Sequence, residues 1–85
     1  MDSDVNTLFD GKTVSFGTAN ETLAMKNISF KEMRNKLFVI GETPSGATVN
    51  DLAINRTCAI SWDSVNDFII FENEQEYSNW VEGSE

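Results

Sequence analysis

With a single cysteine, Cys58, and no histidine in 85 residues, this chain has neither an internal disulfide nor a histidine-bearing metal site to hold a small fold together. A domain of this size buries only about 60–65 % of the surface its unfolded chain exposes, and small secreted domains commonly compensate with bridges or metal. The core must instead rest on aromatic burial. Six phenylalanines, Trp62, Trp80 and Tyr77 are present for it, and each such ring takes roughly 150–250 Å² out of water. A lone cysteine also fits a reducing compartment, so a cytoplasmic setting is expected. The acidic start Met1-Asp2-Ser3-Asp4 does not read as an export signal, and no run approaches the roughly 20 apolar residues of a membrane span.

Residues 1–85 read as one compact domain, with 1–8 a polar lead-in expected to fray. Phe9-Asp10-Gly11-Lys12 reads as a tight turn, with Asp-Gly supplying the left-handed backbone such turns need. Thr13–Phe16 is β-branched and aromatic, a strand, and Thr22–Met25 is expected to pair back on it. Ser29-Phe30-Lys31-Glu32 has the capping-box pattern, and Phe30, Met33 and Leu37 follow at spacings of three and four. That stretch predicts a short helix ending near Lys36. Leu37–Ile40 is of strand type, Gly41–Gly46 is a loop, and residues 47–54 fit either a strand or one helical turn.

From Thr57 to Trp62 the alternation of Cys58, Ile60 and Trp62 with Thr57, Ala59 and Ser61 predicts a half-buried strand. Asp63–Asp67 reads as a turn. The run Phe68-Ile69-Ile70-Phe71 then predicts a strand covered on both faces, hence central in its sheet. Asn73 is placed to cap a second helix, with Tyr77, Trp80 and Val81 on one face and Gly83 as its stop. The fold class expected is α+β: a small, mainly antiparallel sheet of three to five strands with two short helices on one face.

Fourteen acids against six bases give a net charge of −8. This disfavours nucleic acid as a direct ligand and also anionic membranes, since phosphate binding needs clustered Lys and Arg. The natural complement is a basic protein surface. Charge is also unevenly placed. From Thr57 onward Asp63, Asp67, Glu72, Glu74, Glu76, Glu82 and Glu85 occur without one base, while Lys26, Lys31, Arg34 and Lys36 make an earlier stretch locally basic. The acids either form the solvated side of the last strand and helix or make a field that steers a basic partner. A sharper version is nucleic-acid mimicry, with Glu72 and Glu74 on an extended segment about 6.6 Å apart, near two steps of a DNA strand.

Catalytic readings fare poorly. Gly11-Lys12-Thr13 ends like a phosphate-binding loop, but the glycine required five residues before Gly11 is Asn6. Without histidine, Cys58 and the serines lack their usual proton acceptor. The carboxylate runs 63–67 and 72–76 do not follow the calcium-loop order. No catalytic residue, metal site or cofactor is expected.

The function expected is non-enzymatic. The chain reads as an acidic inhibitor or adaptor that occupies a basic surface of a nucleic-acid-handling protein. Asp63, Asp67, Glu72, Glu74, Glu76 and Glu82 would supply the field, and Trp80 an aromatic anchor. Small acidic α+β chains of this kind are frequent among virus- or mobile-element-encoded inhibitors, an analogy of size and charge alone. The alternative is a small structural subunit that homo-oligomerises, its acidity serving solubility.

Overall fold

The computed structural model describes residues 8–48 and 52–83. Of the lead-in 1–8 expected to fray, all but Leu8 lies outside the described residues, as do the centre of the ambiguous 47–54 stretch and Glu85.

The chain enters the fold through Phe9. Its carbonyl accepts from the Lys12 N–H at 3.1 Å, and Gly11 takes φ 72°, the positive φ a type II turn demands at its third position. Five antiparallel strands follow: β1 (Thr13–Thr18), β2 (Thr22–Met33), β3 (Lys36–Glu42), β4 (Thr57–Ser61) and β5 (Val65–Phe71). They lie in the order β4-β3-β2-β1-β5. A 3-10 turn, Trp62–Ser64, joins β4 to β5, and one α-helix, α1 (Glu74–Gly83), closes the described chain.

The edge strands β4 and β5 are joined by only three residues. Across a flat sheet, four gaps of about 4.8 Å would separate them by about 19 Å, whereas three 3-10 residues rise only about 6 Å. The sheet must therefore curl. Asn27 helps, since its φ of 52° interrupts β2 where the pairing with β3 shifts between Lys26 and Ser29.

On the concave side Phe9, Val14, Phe16, Met25 and Val39 are buried, with Phe30, Ile60, Trp62 and Ile70 packed against them. Phe9, 1 % exposed, is the hub: its ring centroid lies 5.5 Å from Phe16, 6.0 Å from Phe30, 6.2 Å from Trp62 and 5.1 Å from Phe68. Rings from β1, β2, the 3-10 turn and β5 thus meet on a residue outside every strand. Across the sheet, Ala24, Phe71 and Tyr77 form a second cluster with Ala47 and Val81, which seats α1 on the outer face. Gly41, buried in β3, leaves that strand no room for a side chain: a Cβ there would stand 2.8 Å from Met25 Cβ and 2.9 Å from the Lys26 carbonyl.

Two expectations are corrected. The helix predicted from Ser29 to Lys36 is absent; those residues form the second half of β2 and its hairpin to β3. Ile28 and Phe30 alternate with exposed Asn27, Ser29 and Lys31. Phe30 is drawn onto Phe9 and Trp62. Arg34 and Asn35, at φ 52° and 64°, sit between the paired Met33 and Lys36, so a two-residue turn with both central φ values positive closes the hairpin. The capping box was local, and the period of two prevailed. The fold is thus one antiparallel sheet with one α-helix among the described residues, not two.

The second correction concerns β5, which is an edge strand rather than a central one. Its apolar run is explained by its faces: Phe68 and Ile70 turn to the concave cluster, and Phe71 turns to α1. Coverage of faces carries no information about pairing at edges.

Candidate interaction surface

Helix α1 begins as its sequence implies. Asn73 Oδ1 accepts from the Glu76 N–H at 2.8 Å, which satisfies one of the donors a helix start leaves open. Tyr77 and Val81 face the sheet. At 100° per residue, Glu74 and Ser78 fall on one flank of that buried line and Trp80 and Glu76 on the other. The first flank faces the loop after β3, where Ser78 lies against Gly46. The second faces β5, where the Trp80 ring stands 5.4 Å from Phe71.

This geometry sorts the carboxylates expected to act together. Glu74 is turned inward: its Oε2 accepts from Lys26 Nζ at 3.1 Å and from the Ser45 N–H at 2.6 Å, tying α1 to β2 and to the loop after β3. Glu72 pairs with Lys12 but remains 71 % exposed. Glu76 is exposed beside Trp80, one helical turn earlier. Glu82 lies on the far flank with Gln75 and Asn79, which are bonded to each other at 3.0 Å. Asp63, in the 3-10 turn, and Asp67, early in β5, sit at the other end of that strand. From Asp67 to Glu72 is five residues, about 17 Å of extended chain, roughly twice the Debye length at physiological salt.

The seven predicted residues therefore do not form one negative face. Glu76 and Trp80 share one flank of α1, Glu72 is engaged by Lys12, Glu74 is engaged within the fold, and Asp63, Asp67 and Glu82 stand apart. Nor do Glu72 and Glu74 share an extended segment, since Glu72 lies in a bend and Glu74 opens the helix; the spacing behind the mimicry reading is absent. Of the basic stretch only Lys26 folds against these acids. Lys31, Arg34 and Lys36 lie toward the tip of the β2–β3 hairpin.

Sequence reasoning missed Ile69. It is 51 % exposed, and Trp80 is 50 % exposed. Ile69 shares the outer face of β5 with Phe71, two residues on, and Trp80 rests on Phe71. Ile69, Phe71 and Trp80 form an apolar strip along the edge strand, with Asp67 at one end and Glu76 beside Trp80 at the other. Read as a central strand, the run 68–71 gave no sign that Phe68 and Ile69 are exposed.

Elsewhere the surface assembles little chemistry. A cleft of about 350 Å³ between the β1–β2 turn and the 3-10 turn is lined by Thr18, Ala19, Asn20, Glu21, Ile60, Ser61, Ser64 and Asn66. Glu21 is its one ionisable group, so no acid–base pair is formed there. Burial pushes the Cys58 thiol up, against a smaller opposing effect of its hydrogen bond with Thr43, which keeps it a protonated thiol at neutral pH. No cluster of metal-ligating side chains occurs among the described residues, and no helix among them is long and apolar enough to cross a membrane. Compared with known proteins, the chain matches no family model, no curated protein and no solved structure.

Proposed function

We propose that this chain is a non-enzymatic binding domain that receives a basic surface of another protein, of the sort nucleic-acid-handling proteins present, on the outer face built by β5 and α1. The observation that carries the reading is the strip of half-exposed Ile69 and Trp80, with the exposed carboxylate of Glu76 one helical turn before Trp80. Aromatic anchors inside a polar rim dominate the energetics of protein interfaces, and a tryptophan face also attracts arginine. The net charge of −8 adds a long-range field that raises encounter rates with a basic partner. Inhibition or adaptation follows from occupancy alone, without chemistry on the bound protein.

The test is a titration of the full chain against basic nucleic-acid-binding domains at two salt concentrations, with Trp80→Ala alongside. Binding is expected to weaken at higher salt and to fall at least about tenfold in the variant. Affinity indifferent both to salt and to Trp80 would overturn the proposal.

A second reading, a subunit that pairs with further copies of itself, is favoured by the outer edges of β4 and β5, which pair with no further strand among the described residues. Sedimentation at micromolar concentration separates the two, because a concentration-independent monomer excludes that assembly.

A further inference from the structure

Three of the chain's six bases, Lys31, Arg34 and Lys36, meet at the closed end of the β2–β3 hairpin. Phe30 and Val39 turn to the concave cluster, so by alternation Lys31, Met33, Lys36 and Phe38 share the outer face. The register sets Lys31 opposite Phe38 and Met33 opposite Lys36. One diagonal of this square is therefore apolar, Met33 to Phe38, and the other cationic, Lys31 to Lys36, each spanning about 7–8 Å. Met33, Arg34, Lys36 and Phe38 line an open cleft of about 290 Å³, and Met33 is 38 % exposed. Glu32, opposite Leu37, turns to the concave side. Helix α1 is seated over Ala24 and Phe71, nine residues of β2 short of Met33.

Lys12 and Lys26 are paired with Glu72 and Glu74, whereas Lys31, Arg34 and Lys36 have no ion pair among the described residues. Three cations thus stand together and unrelieved in a chain whose remaining charge is fourteen acids against three bases. Arg34 also takes the first central position of the hairpin turn at φ 52°, where Asn, Asp or Gly is favoured. Turn stability alone calls for another residue there.

We infer that the outer face of this hairpin tip receives an acidic segment of another protein. The segment lays one apolar side chain between Met33 and Phe38 and sets its carboxylates on Lys31, Arg34 and Lys36. Charge complementarity selects this occupant. A nucleic-acid strand carries a phosphate every 3.4 Å or so, of which cations spread over about 8 Å meet only two or three, and the rest run past an acidic body. An anionic bilayer meets the same repulsion. A short acidic segment confines its charge to the patch. The surface is separate from the β5–α1 face, because Ile69, Ser15 and Ala24 lie in one row across the sheet and Met33 follows Ala24 by about 30 Å of extended chain. The inference therefore does not rest on the basic-partner reading.

The probe is the peptide acetyl-Asp-Glu-Phe-Glu-Asp-amide, titrated at low ionic strength into the isotope-labelled full chain. Two altered forms accompany it, one with serine for phenylalanine and one with the acids replaced by their amides. The parent is expected to shift resonances of Lys31, Met33, Arg34, Lys36 and Phe38, and each altered form to bind at least about fivefold more weakly. Arg34→Asn should weaken the parent at least about threefold while the Tm of the chain holds or rises. Trp80→Ala should leave peptide binding unchanged, which keeps this test apart from that of the β5–α1 face. The inference is wrong if no hairpin resonance moves up to about 1 mM peptide, or if the serine form binds like the parent, since charge alone is then at work. It is also overturned if an oligothymidylate or an anionic lipid vesicle moves the same resonances at lower concentration. Sedimentation of the free chain as an oligomer with its hairpin amides protected would overturn it too, because a second copy is then the occupant.

Discussion

Replacing Glu74 separates the two jobs that the acids of the last strand and helix perform. Its Oε2 takes hydrogen bonds from Lys26 and from the Ser45 N–H, and its side chain is 35 % exposed against 17 % for Lys26. Hydrogen bonds to a charged group contribute about 1.5–3 kcal/mol each. Water reaching the vacated site returns part of that, so Glu74→Ala is expected to destabilise by about 2 kcal/mol. Glu74→Gln keeps an acceptor for Ser45 and should lose about 1 kcal/mol. Glu72→Ala removes an exposed ion pair with Lys12 and should lose about 0.5 kcal/mol or less. For a domain of this length, 2 kcal/mol lowers Tm by about 8–16 °C. Denaturant unfolding of the three variants, with unchanged slope, reads these values directly. A double-mutant cycle with Lys26→Met isolates the ion pair. Equal losses from Glu74→Ala and Glu72→Ala would refute the assignment of Glu74 as an internal tie.

Further outcomes follow from packing and titration. Phe9→Ala empties the centre of the concave cluster and is expected to destabilise by about 3–5 kcal/mol, a large share of the roughly 4–13 kcal/mol available to a chain this long; Phe9→Leu, at about 1–1.5 kcal/mol, keeps the test readable by equilibrium unfolding if the alanine variant does not fold, and a loss under 0.5 kcal/mol would contradict the hub. Gly41→Ala forces a Cβ against Met25 and the Lys26 carbonyl and should destabilise by about 1–3 kcal/mol in the same assay. Tyr77 is the one tyrosine in the chain, and burial raises its pKa above the ordinary value of 10.0. Because the folded state disfavours the phenolate, its stabilising contribution is full below the unfolded pKa and is lost as pH climbs through the folded one. Ultraviolet titration should place the midpoint above that of the denatured chain, and a midpoint at or below it would contradict the burial.

What the sequence disclosed depended on whether the signal was local. The Asp10-Gly11 turn, the strands beginning at Thr13, Thr22 and Thr57, and the Asn73 cap are written in nearest neighbours, and each is present in the fold. The segment from Ser29 to Lys36 carried two periods at once, and the choice between them was made by Phe9 and Trp62, distant in sequence. Phe9 itself read as a turn residue because nothing local distinguishes a ring that enters the core from one that does not. The acidic third was legible as composition, yet its partition was not. Glu74 differs from Glu76 by about 200° around a helix, and only the position of β2 and the loop after β3 makes the first an internal tie and leaves the second in solvent. Ile69 was hidden for the opposite reason, as a hydrophobic residue in a hydrophobic run.

The proposed site depends on where charge sits rather than on how much there is. Glu76 and Glu82 are on the same helix, and reversing either changes net charge by the same amount, but only Glu76 flanks Trp80. Titrating a basic nucleic-acid-binding domain into Glu76→Lys and Glu82→Lys chains measures that difference. We expect affinity to fall at least about tenfold for the first and less than about twofold for the second. Equal losses would mean that the partner senses only overall acidity, and the outer face of β5 and α1 would have no claim to be its site.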